Sequence, residues 1–122
     1  MYVKRVLIID DEECFCYALK RSLELKSAFH VLTATRGDDG IRLAKTQKPD
    51  LVLLDIMMPG IDGTSVAAEL LNDPATNTIA IIFVTALVKR EEVKIRGGIF
   101  GGHHFIAKPV IIDELINKIN AI

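Results

Sequence analysis

Short apolar runs in this chain end, one after another, on polar side chains. Asp10 and Asp11 follow Val6 to Ile9, Asp55 follows Leu51 to Leu54, Thr85 follows Ile79 to Val84, and Lys108 follows His104 to Ala107. Runs this short and this apolar read as strands buried on both faces of a parallel sheet. The C-terminal ends of such strands lie along one edge, where ligands of open α/β sheets bind. Three carboxylates gathered there repel by about 4 kcal/mol per pair at about 4 Å and an effective dielectric of 20. Set against a total stability of about 5 to 15 kcal/mol, that cluster requires a cation. An all-oxygen donor set with open positions suits Mg2+, which keeps waters and accepts a phosphate oxygen. Lys108 adds a second positive charge as a point donor to phosphate, and Thr85 adds a hydroxyl. A carboxylate nucleophile, a divalent ion, a lysine and a hydroxyl together describe phosphoryl transfer to Asp55.

The elements that must position these groups are legible around the stretch DLVLLDIMMPGIDG, from Asp50 to Gly63. Burying Leu51 to Leu54 drives Asp55 to the tip of a strand. Pro59, Gly60, Asp62 and Gly63 then turn the chain back over the sheet. Met57 and Met58 read as gap fillers, apart from the Met57 backbone oxygen. Upstream, Glu12 and Glu13 follow Asp10 and Asp11 and complement a helix dipole. Phe15, Ala18, Leu19 and Leu23 form a helical stripe, and that helix runs to about Lys26. Phe29 to Ala34 read as a strand, and Gly37 to Thr46 as a helix that turns Ile41 and Ala44 to the sheet. Thr64 or Ser65 helps start a helix with Val66, Ala67, Leu70 and Leu71, which Asn72, Asp73 and Pro74 end. A short helix is predicted from about Lys89 to Arg96, and the last helix shows Ile112, Leu115, Ile116 and Ile119 on one face. Five strands alternating with helices give a doubly wound, five-stranded parallel sheet.

At 122 residues the chain is read as one domain, residues 1–122. A net charge of -1 with 25% charged residues leaves no electrostatic footprint for nucleic acid or an anionic membrane. No apolar run reaches the roughly 18 residues of a membrane span, and MYVKRVLIID carries no small-residue cleavage site, so a cytoplasmic location is expected. Cys14 and Cys16, two apart on a helix, point to different sides and favour neither a disulfide nor a metal pair. His103 and His104, adjacent on an extended segment, face opposite ways.

The segments IIDDEE around Asp10 and Asp11, LLDIMMPGIDG around Asp55, VTA at Thr85 and FIAKP at Lys108 resemble, in order and at strand ends, the response regulator receiver domain of two-component signalling. The resemblance covers essentially the whole chain. It implies the flavodoxin-like (β/α)5 sheet with strand order 2-1-3-4-5. It implies that Asp55 is the phosphoacceptor, taking its phosphoryl group from the phosphohistidine of a histidine kinase or histidine phosphotransfer protein. Asp11 and the Met57 backbone carbonyl are then direct Mg2+ ligands, and Asp10 acts through water. Lys108 pairs with the phosphoryl group and precedes a cis bond to Pro109. Thr85 moves its hydroxyl onto the phosphoryl oxygen, freeing space for the Phe105 ring to turn inward. Such a domain is a signalling module and not an enzyme in its own right. It acts on a downstream protein or an effector domain, as a monomer or as a dimer formed on phosphorylation.

Several positions depart from the family pattern. Phe105 stands where many relatives carry Tyr, so only a packing switch is available. Met57 and Leu87 flank the route of an attacking water and hold none, which predicts a long-lived phospho-Asp55. The glycines from Gly97 to Gly102 suggest an adaptable partner face, and Ile111 stands where the last helix would find a polar cap. Three other classes compete. A flavin carrier on the same sheet requires a phosphate loop where DDEE stands. A phosphatase of the haloacid dehalogenase type requires an acid at Met57. A receiver-like docking scaffold that works unphosphorylated is the remaining alternative.

Overall fold

The computed structural model describes residues 3–95, 99–100 and 103–122. Along the chain run β1 (Lys4–Ile9), α1 (Glu13–Lys26), β2 (Phe29–Ala34), α2 (Gly37–Gln47), β3 (Leu51–Leu54) and α3 (Gly63–Asn72). They are followed by β4 (Ala80–Thr85), α4 (Arg90–Ile95), β5 (Ile99–Phe100), β6 (His103–Ala107) and α5 (Ile112–Asn120). The sheet order is β2-β1-β3-β4-β6-β5. Its first five strands pair in parallel, which is the expected 2-1-3-4-5 order, with β6 as the fifth parallel strand. The two-residue β5 adds an antiparallel edge that periodicity did not predict. Two residues are too short to leave a pattern in a sequence.

Side-chain alternation explains the wholly apolar runs. Val6 and Ile8 of β1 face the layer made with Leu19 and Leu23 of α1 and Leu115 and Ile119 of α5. Leu7 and Ile9 face the opposite layer, with Ile41 and Ala44 of α2 and Val66 and Leu70 of α3. Both faces of the sheet are therefore core, and a strand with two buried faces has no polar position to spare. Each fully buried Leu, Ile or Val contributes roughly 1.5 to 3 kcal/mol relative to exposure. The predicted α1 stripe is adjusted in one place: Ala18 is exposed and Cys16 takes the inward position. Cys14 is exposed, as the two-residue spacing required.

The helix termini are satisfied unevenly. Asp62 caps α3, its side chain accepting from the Ser65 N–H at 2.9 Å, so the expected turn former is also the cap. The starts of α1, α2 and α5, at Glu12, Arg36 and Ile111, receive no side-chain cap hydrogen bond. At Ile111 that is the gap the sequence predicts. Helix α4 has six residues. Gly97, Gly98, Gly101 and Gly102, on which the adaptable-face reading rests, lie outside the described residues, as does Arg96. Among the described residues no helix is long and apolar enough to cross a membrane.

Candidate functional site

The register explains why the polar strand ends meet. Ile9 pairs with Leu54 on one side of β3, and Leu54 pairs with Phe83 on the other. Asp10 and Asp55, each one residue beyond its strand, are thereby level, and the Asp55 N–H donates to the Ile9 carbonyl at 3.0 Å. Thr85 pairs with Ala107, which sets Lys108 one residue further along the same edge, its N–H donating to the Thr85 carbonyl at 2.9 Å.

Asp10 is buried, with 1% of its surface exposed. One carboxylate oxygen accepts the Glu12 N–H at 2.9 Å, and the other accepts from Lys108 Nζ at 2.7 Å. Asp11 is exposed. Asp55 is buried and lines a cavity of about 400 Å³ together with Asp11, Glu12, Met57, Thr85, Ala86, Leu87 and Lys108. Carboxylate oxygens of Asp10, Asp11 and Asp55 all lie within 4.8 Å of one another.

The loop after Asp55 is held close by a backbone contact that tolerates no side chain. Gly63 lies against the Asp55 carbonyl, where a Cβ would collide, and its N–H donates to the Ile56 carbonyl at 2.9 Å. Gly60 adopts φ of +80°, which favours glycine. Ahead of these glycines Met58 packs inward, while the Met57 side chain is exposed and lines the cavity. Of the two methionines expected to fill gaps, only Met58 does so.

Lys108 is the crossing point of the cluster. Its ammonium lies 2.7 Å from Asp10, 3.4 Å from Glu12 and 3.7 Å from Asp55, and 4.2 Å from the centre of the Phe15 ring. The peptide bond to Pro109 is cis, as the resemblance implied. Burial pulls the Lys108 pKa down, but the hydrogen bond to Asp10 and the charges of Asp10, Asp55 and Glu12 outweigh it and raise it above the ordinary lysine value. Asp55 is shifted upward, first by burial and then by the Asp10 charge. Lys108 and the backbone N–H groups of Ile56 and Met57 oppose that shift. The carboxylate oxygens of Asp10, Asp11 and Asp55, all within 4.8 Å of one another, offer an all-oxygen donor set that fits Mg2+.

On the β4 side, Thr85 is buried and its hydroxyl oxygen accepts the Leu87 N–H at 3.2 Å. Phe105 is half-buried and stacks on Phe83, its partner in the register, with centroids 5.0 Å apart. His103 meets Phe83 edge to face, which places it on the α2/α3 side of the sheet.

Residues 6–120 match the family model for the response regulator receiver domain. The chain belongs to that family. Protein PilH of Pseudomonas aeruginosa is 40% identical over 118 residues, covering 97% of this chain and 96% of PilH. PhoP of Bacillus subtilis, an alkaline phosphatase synthesis transcriptional regulatory protein, is 35% identical over 120 residues, and the chain spans 48% of its length. Several other curated relatives are likewise matched over about half their length or less. Among solved structures, the signal receiver domain of a DNA-binding response regulator from Colwellia psychrerythraea is 32% identical. It has a TM-score of 0.78, with 97% of this chain and 96% of that chain covered. Vibrio cholerae CheY4 superimposes with a TM-score of 0.82 at 20% identity over 98% of each chain, and shares the fold.

Every site residue named from the receiver's sequence lies at this edge except Phe105, which belongs two residues back along β6 beside Phe83. Sequence reading misses two contacts. Glu12 reads as a first-turn acid and Phe15 as a core residue, yet both reach Lys108. No pattern within one segment could reveal a contact across 96 positions.

Proposed function

We propose that residues 1–122 form a single receiver domain that accepts a phosphoryl group on Asp55 from a phosphohistidine of a histidine kinase or histidine phosphotransfer protein. The observation that carries this reading is the Lys108 ammonium 3.7 Å from the Asp55 carboxylate, beside two further carboxylates within 4.8 Å. A carboxylate oxygen of Asp55 attacks phosphorus, the P–N bond breaks, and the donor imidazole leaves with the electron pair. Lys108 meets the arriving phosphoryl charge, and burial of Asp55 keeps competing water to one side. Asp10, Asp11, Asp55 and the Met57 carbonyl would hold Mg2+, with Asp10 acting through water, and when bound the ion supplies charge neutralisation and a template for phosphoryl oxygens.

The output arises on the β4 and β6 side. Thr85 turns its hydroxyl from the Leu87 N–H to a phosphoryl oxygen, and Phe105 moves inward into the space released. The changed face acts on a downstream protein or an attached effector domain in the cytoplasm, and the domain works as a monomer or as a dimer formed on phosphorylation. Met57 and Leu87, both exposed and neither able to hold a water, leave phospho-Asp55 long-lived. A scaffold indifferent to phosphate would gain nothing from burying Asp10 and Asp55 together.

The test is intact mass after incubation with acetyl phosphate and Mg2+. One phosphoryl group is expected on the wild type and none on Asp55→Asn. Incorporation retained by the variant would move the acceptor elsewhere.

A further inference from the structure

A lysine ammonium on a four-carbon stem does not orient itself, because its three donors rotate freely and it lacks the planar fork of arginine. Lys108 is nonetheless confined, with 14% of its side chain exposed and Asp10, Glu12 and Asp55 at 2.7, 3.4 and 3.7 Å. All three of those partners are carboxylates, and an arriving phosphoryl oxygen competes with each of them for the same N–H donors. The fourth neighbour does not compete in this way. The ammonium lies 4.2 Å from the centroid of the Phe15 ring, within the range where the negative face of an aromatic ring attracts a cation.

We propose that Phe15 is a positioning residue for phosphoryl capture: its ring face holds the Lys108 ammonium beside Asp55 while the carboxylate contacts are exchanged for phosphoryl oxygens. The inference rests on Asp55 being the acceptor. Local structure keeps the ring in place. Phe15 sits in the first turn of α1, which the Asp10 carboxylate ties to the end of β1 through the Glu12 N–H at 2.9 Å. The ring also packs against the α1/α5 core layer and lines a groove with Leu19, Pro109 and Val110. One edge is therefore anchored in core, and Lys108 meets what remains. A residue needed only to fill the groove could equally be leucine, so chemistry separates the two roles. Leucine and methionine keep the apolar volume and lose the ring quadrupole, whereas tyrosine keeps both.

The experiment compares wild type, Phe15→Leu, Phe15→Met and Phe15→Tyr, using acetyl phosphate at limiting concentration with saturating Mg2+ and reading intact mass over time. Thermal unfolding of each variant confirms folding. The phosphorylation rate constant should fall about tenfold in the leucine and methionine variants and stay within about twofold of wild type with tyrosine. The Lys108 Hε resonances should be shifted upfield by the ring in wild type and in the tyrosine variant, and return to ordinary positions with leucine. A leucine variant as fast as wild type overturns the proposal, as do equal losses in the leucine and tyrosine variants. Unshifted Lys108 resonances in wild type also overturn it, without needing any variant to fold. Wild type that takes no phosphate on Asp55 overturns the functional reading itself, an outcome distinct from the others.

Discussion

The two halves of the site are built differently. On the β1 and β3 side, Asp10 and Asp55 are buried acids fixed by backbone, one taking the Glu12 N–H and the other at the end of a strand with both faces in core. On the β4 and β6 side the working side chains are held by single or shared contacts. The Thr85 hydroxyl accepts a single loop N–H, Lys108 divides itself among three carboxylates, and the Phe105 ring is half-buried. The first half holds charge in place through backbone, and the second holds its groups through contacts that are single or shared. In the function proposed above, phosphoryl oxygens on Asp55 compete for those contacts, as a switch requires.

The largest effect should come from the β1 and β3 half. Asp55→Asn is expected to abolish phosphate uptake and at the same time to stabilise the metal-free protein. The folded-state pKa of Asp55 is raised by burial and by Asp10, so its contribution to stability is fully present only below the ordinary carboxylate pKa of about 3.9 and is lost as pH rises through the elevated value. At neutral pH the charged wild type thus bears a cost that the asparagine variant lacks. Unfolding midpoints in a chelator should favour the variant at pH 7, with the difference shrinking as pH falls. A variant less stable than wild type at pH 7 would show that the acid cluster is not strained by its own charge.

Mg2+ should relieve the same strain. A ligand bound only by the folded state stabilises it by about 2.7 kcal/mol at a hundred times its dissociation constant. The wild-type unfolding temperature should therefore rise with millimolar Mg2+, and rise less in Asp55→Asn. An unchanged temperature in wild type would remove the metal from the site.

How much of this is legible from residues alone differs between the halves too. Leu51 to Leu54 ending on Asp55, and Val6 to Ile9 ending on Asp10, are runs with no polar position, as a sheet covered on both faces requires. That constraint is local, so it can be read locally. The neighbours of Lys108 are not local. Phe15 reads as one member of an apolar stripe, and nothing in its segment says that a lysine from the opposite end of the chain lies over it. The β5 edge is invisible because two residues carry no period. Asp62 reads as a turn residue because Asp before Gly is a turn signal, although Ser65 three positions on is where a cap finds its N–H.

In the β4 and β6 half, Thr85→Ala should leave uptake on Asp55 nearly intact and break the response to it. Spectra recorded with and without phosphodonor should show the Phe105 ring resonances moving in wild type and remaining still in the variant. Movement of the Phe105 resonances in both proteins would mean that the ring responds by a route other than the threonine.

The smallest expected effect concerns the start of α5, just beyond Lys108. Ile111 occupies the cap position with φ of -95° and ψ of 114°, an extended backbone suited to a capping side chain, and makes no side-chain cap bond. Its side chain is 47% exposed, so replacing it sacrifices little buried surface. Ile111→Ser should therefore add about 0.5 to 1 kcal/mol to stability by satisfying an orphan N–H of the first turn, read as a higher denaturant midpoint at unchanged slope. Serine adds no charge near Lys108, so phosphate uptake should be unaltered. A gain in stability accompanied by slower uptake would show that phosphoryl capture by Lys108 depends on the backbone of the segment after it. A gain with uptake unchanged would confine the exchange of partners to the side chains of Thr85, Lys108 and Phe105.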